Sequence, residues 1–590
     1  MPSSRIRLAA ALAALMFVAP LFAQPIQAFP KIADMYRMID PTDPYRTVVS
    51  GLFRQTVKVG DVERSFLVYI AKDNAQYQPY LFIVPDARQD PVAVLDKGGW
   101  KRVADEHGMI VIVAETPDRR WTLERDLGYL NKVYALSHER NWYNAQKGNN
   151  YLAAYGDAAS LTQAWAMKAP ANFCSFATFG AVSVDADFRK KAGDAPSELK
   201  SVPMKDVPMP VWMFVPKLND DAKAQLEYWK AANKAVGPRL SDADTTGLFL
   251  ANTNGIDTLI DEQDLLAQTR YTVTADAAAL NPKRAQTVWK FLSAVVRPVA
   301  LANGDLRAAR STEQWGAVKR TIVVDGVTRY WIEFVPKTLR KTAGDKAPLL
   351  VYLHGNNNTA EAIIDRTEIF KAANERGFIA VVPTGSLYNS AKQMPNPRWN
   401  LSEKADEWND YAFIRAMIRD VTGRTPVDAS RIYLSGQSYG SMATQAFSLR
   451  MNDVVAAGAS TAAFLIGEDR ALLKSPQVLE GNRVPIFMII GERDMPIFLD
   501  PKDTELNVSY WIERNAAGRY AAPAGTYKDG RYNVTVWANA DGVPLVQYAK
   551  VDEKPHTPLP MDNFLMYDTW LSKWSRGADG VLYYMGKAVR

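Results

Sequence analysis

The pentapeptide Gly436-Gln437-Ser438-Tyr439-Gly440 sets a serine between two glycines, with the apolar run RIYLS before it and YGSMATQAFSLRM after it. A strand that turns sharply into a helix holds such a serine in a strained conformation. Small flanking residues let strand and helix pack closely behind the turn. The serine then stands at a helix N-terminus, where the backbone N–H of Tyr439 is aimed at charge developing on an attacked carbonyl. That arrangement suits acyl transfer, provided a base takes the serine proton. The pentapeptide alone also fits a structural turn; the flanking strand and helix favour a nucleophile.

The base must be a histidine, and the chain has only four: His107, His138, His354 and His556. Only His556 follows Ser438, as the order nucleophile, acid, base requires. It sits in KPHTPLP, between the strand-like LVQYAKV and the helical DNFLMYDTWLSKW. The acid is expected at the carboxyl edge of a strand between the two. IFMIIGERD puts Asp494 there, with Asp500 and Asp503 as competitors. Oxyanion donors are expected from His354-Gly355-Asn356-Asn357-Asn358, where the backbone N–H of Asn356 or Asn357 would join that of Tyr439. Trp399, Trp408 and Gln437 are the expected substrate contacts. There is no His-x-x-x-His and only one cysteine, Cys174, so no metal site is expected. No phosphate loop or dinucleotide fingerprint occurs, so no cofactor is expected.

The elements that must position these residues occur twice. PYLFIVPD at 79–86 matches PLLVYLHG at 348–355, and WKRVADEHGMIVIVAET at 100–116 matches IFKAANERGFIAVVPTG at 369–385, with the same spacing. Further along, Arg120-Trp121 matches Arg398-Trp399, Tyr151-Leu152 matches Tyr433-Leu434, and MPVWMFVP at 209–216 matches VPIFMIIG at 484–491. The order never breaks, which points to an internal duplication. Short, continuous apolar strands alternate with helices, so each half is expected to be a doubly wound, mostly parallel α/β sheet. In the first half Gly156 stands where Ser438 stands in the second, Asn219 stands for Asp494, and Pro85 for His354. That half is expected to be without catalysis of its own.

The expected organisation is a signal peptide at 1–28, an extended lead-in at 29–47, a degenerate domain at 48–300 and a catalytic domain at 301–590. Met1–Arg7 carries two arginines, and LAAALAALMFVAPLFA follows as a short apolar stretch broken by Pro20. This reads as an export signal, so the protein is expected to be secreted or periplasmic. The net charge of +6 is dispersed, which disfavours a nucleic-acid partner.

HGNNN, the RWN at 398–400, RIYLSGQSYGSMA, GERD and the tail from WANADG to VLYY resemble the polyhydroxybutyrate-depolymerase-like and feruloyl-esterase-like esterases. The resemblance covers about 320–590 well, and about 60–300 only as a degenerate echo. It implies two tandem α/β-hydrolase-like domains and cleavage of an ester substrate, small or polymeric. It assigns a metal-free triad of Ser438, Asp494 and His556. Two alternatives stay open at this point: a secreted binding or scaffold protein made of two pseudo-hydrolases, and a serine peptidase or amidase on the same fold.

Overall fold

The computed structural model describes residues 25–72, 78–139, 142–143, 145–197, 202–251, 266–297, 306–339, 344–389, 393–402, 404–474 and 481–589. The expected export signal lies outside these residues except for Pro25–Ala28.

The first half builds a nine-stranded sheet from β1 (Gly51–Val59), β2 (Val62–Ile70), β3 (Gln78–Val84), β4 (Ile110–Ala114), β5 (Ala145–Tyr155), β6 (Ser175–Phe179), β7 (Val211–Val215), β8 (Gly247–Leu250) and β9 (Gln268–Val273). Its spatial order is β1-β2-β4-β3-β5-β6-β7-β9-β8. The second half builds a ten-stranded sheet. Its strands are β10 (Val318–Val324), β11 (Val327–Phe334), β12 (Ala347–Leu353), β13 (Ile379–Pro383), β16 (Val427–Gln437), β17 (Ala457–Thr461), β18 (Ile486–Arg493), β19 (Gly525–Asp529), β20 (Tyr532–Ala538) and β21 (Pro544–Pro555). A small hairpin, β14 (Ser386–Tyr388) and β15 (Asn396–Arg398), stands apart from it. The large sheet runs β10-β11-β13-β12-β16-β17-β18-β21-β20-β19. Strand for strand this is the order of the first sheet, with one extra edge strand.

The inner strands of both sheets pair in parallel, and β2 and β11 pair antiparallel to β4 and β13. Strands such as β12 are buried at every residue, as a sheet covered on both faces demands. The helix after β16, Tyr439–Arg450, is buried from Gly440 to Leu449, so it is covered on all sides rather than on one face. The helix after β5, Ala158–Lys168, is likewise buried nearly all round.

The two halves also share an internal frame. Arg64 on β2 pairs with Asp126 at 2.6 Å, and Arg329 on β11 pairs with Asp410; all four side chains are buried. Asp126 accepts the Thr122 N–H at 2.7 Å, and Asp410 accepts the Asn400 N–H at 2.7 Å. Removing Arg329 or Asp410 would strand the other as a buried charge, at a cost of about 3–5 kcal/mol.

Residues 29–47 are not extended throughout, because Ile32–Met35 and Tyr36–Met38 form short helical turns. The segment straps both halves. Phe29 stacks on Phe53 of β1, while Tyr45 donates to the carbonyls of Thr384 and Gly385 and accepts from Arg329.

Candidate active site

β16 ends at Gln437 and the helix begins at Tyr439, leaving Ser438 alone on the turn. Its backbone is at φ 57°, ψ −123°, a conformation a residue with a Cβ rarely adopts. The turn is held because the Ser438 N–H donates to the Thr461 carbonyl at the end of β17, at 2.9 Å. The flanking glycines are required by space. A Cβ at Gly440 would lie 2.0 Å from the Leu353 carbonyl oxygen, and one at Gly436 would lie 2.4 Å from the Gly440 carbonyl oxygen. Gly440→Ala is therefore expected to destabilise the fold by about 1–3 kcal/mol or more through overpacking, read as a lower midpoint in urea unfolding.

The structure brings Ser438, His556 and Asp494 together. His556 Nε2 lies 2.8 Å from Ser438 Oγ, and His556 Nδ1 lies 2.5 Å from Asp494 Oδ1. Asp494 is buried and also accepts the Met495 N–H at 2.8 Å. With Asp494 ionised, Nδ1 carries the proton and Nε2 is left to accept from the serine. The His556 side chain keeps 24 % of its surface exposed, so the imidazole faces solvent on one side. The ring of Phe498 lies parallel to the imidazole, with centroids 5.7 Å apart. Asp500 and Asp503 do not join the triad: Asp500 caps the helix Pro501–Asn515, and Asp503 pairs with Arg470.

The loop bearing His556 is pinned by a buried network that no sequence pattern announces. Lys554 Nζ donates to Thr461 Oγ1 at 3.0 Å and lies 3.6 Å from Asp562. Asp562 further accepts from Thr461 Oγ1, from the Leu559 N–H and from the Tyr532 hydroxyl. Thr461 thus touches both the nucleophile's turn and the base's loop.

On the oxyanion side, the Asn357 N–H donates to the Pro397 carbonyl at 2.8 Å. That amide is committed to the protein, so of the two expected backbone donors Asn357 is already engaged. Asn357 sits at φ 58°, a left-handed bend that turns the loop. Gln437 is buried, and its side-chain oxygen would lie 2.7 Å from a Cβ placed at Gly355, so it sits behind the loop with little surface for a substrate. Trp399 is fully buried, with its Nε1–H on the His354 carbonyl at 2.8 Å. It packs in the core and cannot reach a substrate. Trp408 lies beside Tyr45 and Arg329, under the lead-in segment.

His354 is buried. Its Nε2 accepts the Gly385 N–H at 2.9 Å, so its Nδ1–H donates to the Gly355 carbonyl at 2.7 Å. Burial pushes its pKa down to about 4. Since the ordinary value is about 6.5, the unfolded chain binds this proton more readily than the folded one. The stability it contributes is full above pH ~6.5 and is lost as pH falls towards 4, a loss of about 3 kcal/mol. His354→Gln should flatten the decline of unfolding free energy over this window; an unchanged slope would exclude His354 as its source.

The equivalent turn in the first half is built the same way and filled differently. Gly156 sits at φ 55° and donates to the Phe179 carbonyl at 2.8 Å. Ala87 and Asp157 hold the positions of Asn356 and Tyr439. The Ala87 N–H donates to Asp157 Oδ1 at 2.9 Å, and the Asp157 N–H donates to Asp86 Oδ2 at 3.3 Å. The two amides that would hold an oxyanion are occupied by the protein's own carboxylates. Asn219 caps the helix Asp220–Ala232. His107 lies near Trp289 and His138 bonds to the Tyr134 carbonyl, both away from this turn's chemistry.

A sheet of this strand order, with a strained residue on the turn between its fifth strand and the following helix, defines the α/β-hydrolase fold. Residues 334–492 match the family model described as esterase PHB depolymerase. A curated relative, feruloyl esterase B of Piromyces equi, is 31 % identical over 120 residues, which is 20 % of this chain and 22 % of that protein. The chain thus spans about a fifth of the length of the relative it matches. Among solved structures, an acetyl xylan esterase from Aspergillus awamori aligns with 43 % of this chain and 99 % of its own, at 16 % identity and a TM-score of 0.33. A feruloyl esterase module from Clostridium thermocellum aligns with 43 % of this chain and 86 % of its own, at 15 % identity and a TM-score of 0.31.

Proposed function

We propose that the protein is a serine carboxylic ester hydrolase whose second half carries the reaction. The observation that carries this reading is the unbroken hydrogen-bonded chain from Ser438 through His556 to Asp494, on a turn held in strain. The match to an esterase family over 334–492 supports ester as the bond cleaved.

Ser438 Oγ attacks the ester carbonyl carbon as its proton passes to His556 Nε2. Asp494 holds the Nδ1–H and stabilises the imidazolium. The N–H groups of Asn356 and Tyr439 receive the oxyanion of the tetrahedral intermediate. Its collapse breaks the bond to the alcohol, which leaves with the proton from His556. Water, deprotonated by the same imidazole, then releases the acid and restores the serine.

The first half, residues 48–300, is a non-catalytic copy that arose by duplication. The shared strand order, the repeated arginine–aspartate pairs and the self-filled amide pocket support this. The N-terminal apolar segment supports export to the periplasm or beyond.

A panel of p-nitrophenyl esters, a polyhydroxyalkanoate film and peptide anilides tests the reading. Turnover of esters with anilides inert is expected, and the film separates polymer from small-ester preference. Anilide cleavage exceeding ester cleavage would move the protein to the peptidase or amidase class; turnover of none would leave a binding protein.

A further inference from the structure

The second half takes a longer path than the first between two matched positions. Thr116 reaches Arg120 by a tight turn closed by the Thr116 hydroxyl on the Arg120 carbonyl. The equivalent Gly385 reaches Arg398 through the β14–β15 hairpin. Near its end lies Met394, which is 1 % exposed. Met394 does not pack in the core of its own half. It belongs to the hydrophobic cluster of the first half, with Met35, Phe53, Phe66 and Tyr129, and is the one member from beyond Tyr271 among the described residues.

The three residues at the end of this arm each hold part of the site. The Pro397 carbonyl takes the Asn357 N–H at 2.8 Å. The Arg398 guanidinium lies over the rings of Tyr388 and Tyr439, at 3.5 and 5.6 Å from their centroids. The Trp399 Nε1–H bonds to the His354 carbonyl. Asn357 adjoins the amide of Asn356, Tyr439 follows the nucleophile, and His354 opens the oxyanion loop. A short run of residues, Met394–Trp399, therefore leads from the core of the first half to both oxyanion donors.

We propose that the first half is a positioning domain, which holds the oxyanion loop in register by anchoring Met394. This rests on the ester-hydrolase reading. The domain has lost its own chemistry and supplies a fixed socket. An oxyanion donor acts in the transition state far more than in substrate binding, so a slackened anchor lowers kcat and leaves KM nearly constant.

The test compares wild type with Met394→Ala, Met394→Gln and Met394→Leu in the full chain. Competent sites are counted by the p-nitrophenol burst, and folding is checked by thermal melting. Met394→Ala is expected to lower kcat per titrated site about tenfold or more, with KM within about twofold. Met394→Leu, similar in volume and apolar, should restore most of the rate. The nearly isosteric Met394→Gln is the second probe, so misfolding of the alanine variant leaves the question decided. The proposal is overturned if the folded Ala or Gln variant keeps wild-type kcat per site, if the loss lies in KM, or if only the number of titratable sites falls. Absence of ester turnover in the wild type would instead overturn the parent reading.

Discussion

Ser438→Ala is expected to lower kcat for ester hydrolysis by on the order of 10⁶-fold, the scale of loss when a triad serine is removed. The serine supplies the oxygen placed 2.8 Å from His556 Nε2, and with it goes the covalent intermediate. Ser438→Gly separates this chemical loss from a folding defect. At φ 57° and ψ −123° the serine carries a conformational penalty that glycine does not. The glycine variant should be as inactive as the alanine variant and should unfold at equal or higher urea concentration, with about 1 kcal/mol recovered from the strain. In the first half a glycine, Gly156, takes a similar left-handed φ of 55° on the turn after β5. An alanine variant retaining more than a few per cent of activity would mean that another group attacks the ester.

Asp494→Asn is expected to lower kcat about 10⁴-fold with little change in structure. The carboxylate contacts His556 Nδ1 at 2.5 Å and is buried, so its charge is poorly screened as the imidazolium forms. A neutral amide keeps the shape. It no longer stabilises the cation, and when its NH₂ faces the ring it selects the tautomer that cannot accept from Ser438. Combining Asp494→Asn with Ser438→Ala should cost no more than Ser438→Ala alone, because the acid acts only through the serine. A single variant within tenfold of wild type would assign the acid to another carboxylate.

The doubly wound, mostly parallel sheet of the second half and the meeting of Ser438, Asp494 and His556 were legible because their signals are local or scarce. The elbow is contiguous, its strand is apolar throughout, and only one histidine follows it. The similar apolar runs of the two halves are visible for the same reason, since buried parallel strands keep long apolar stretches. The misreadings concern what only packing decides. Trp399 was expected at the substrate, yet its partner Trp121 in the first half makes the same bond, from Nε1–H to the Pro85 carbonyl at 2.8 Å. A tryptophan repeated beside a turn that carries glycine in place of the serine was the available signal for a structural role. The choice between Asn356 and Asn357 depends on where the loop bends against Pro397, which lies forty residues on and carries no motif. Lys554 and Asp562 look like surface charges in the sequence, and only the fold shows them buried together around Thr461. Met394 is one apolar residue in an irregular stretch, and its place in the other half's core follows from tertiary contact alone.

The most direct measurement is to react the full-length protein with a fluorophosphonate and map the adduct by peptide mass spectrometry. One phosphonate per chain is expected, on Ser438, formed at a rate that collapses in His556→Ala, with no adduct anywhere in the first half. An adduct on any other residue, or an untouched Ser438 in protein that hydrolyses esters, would contradict it.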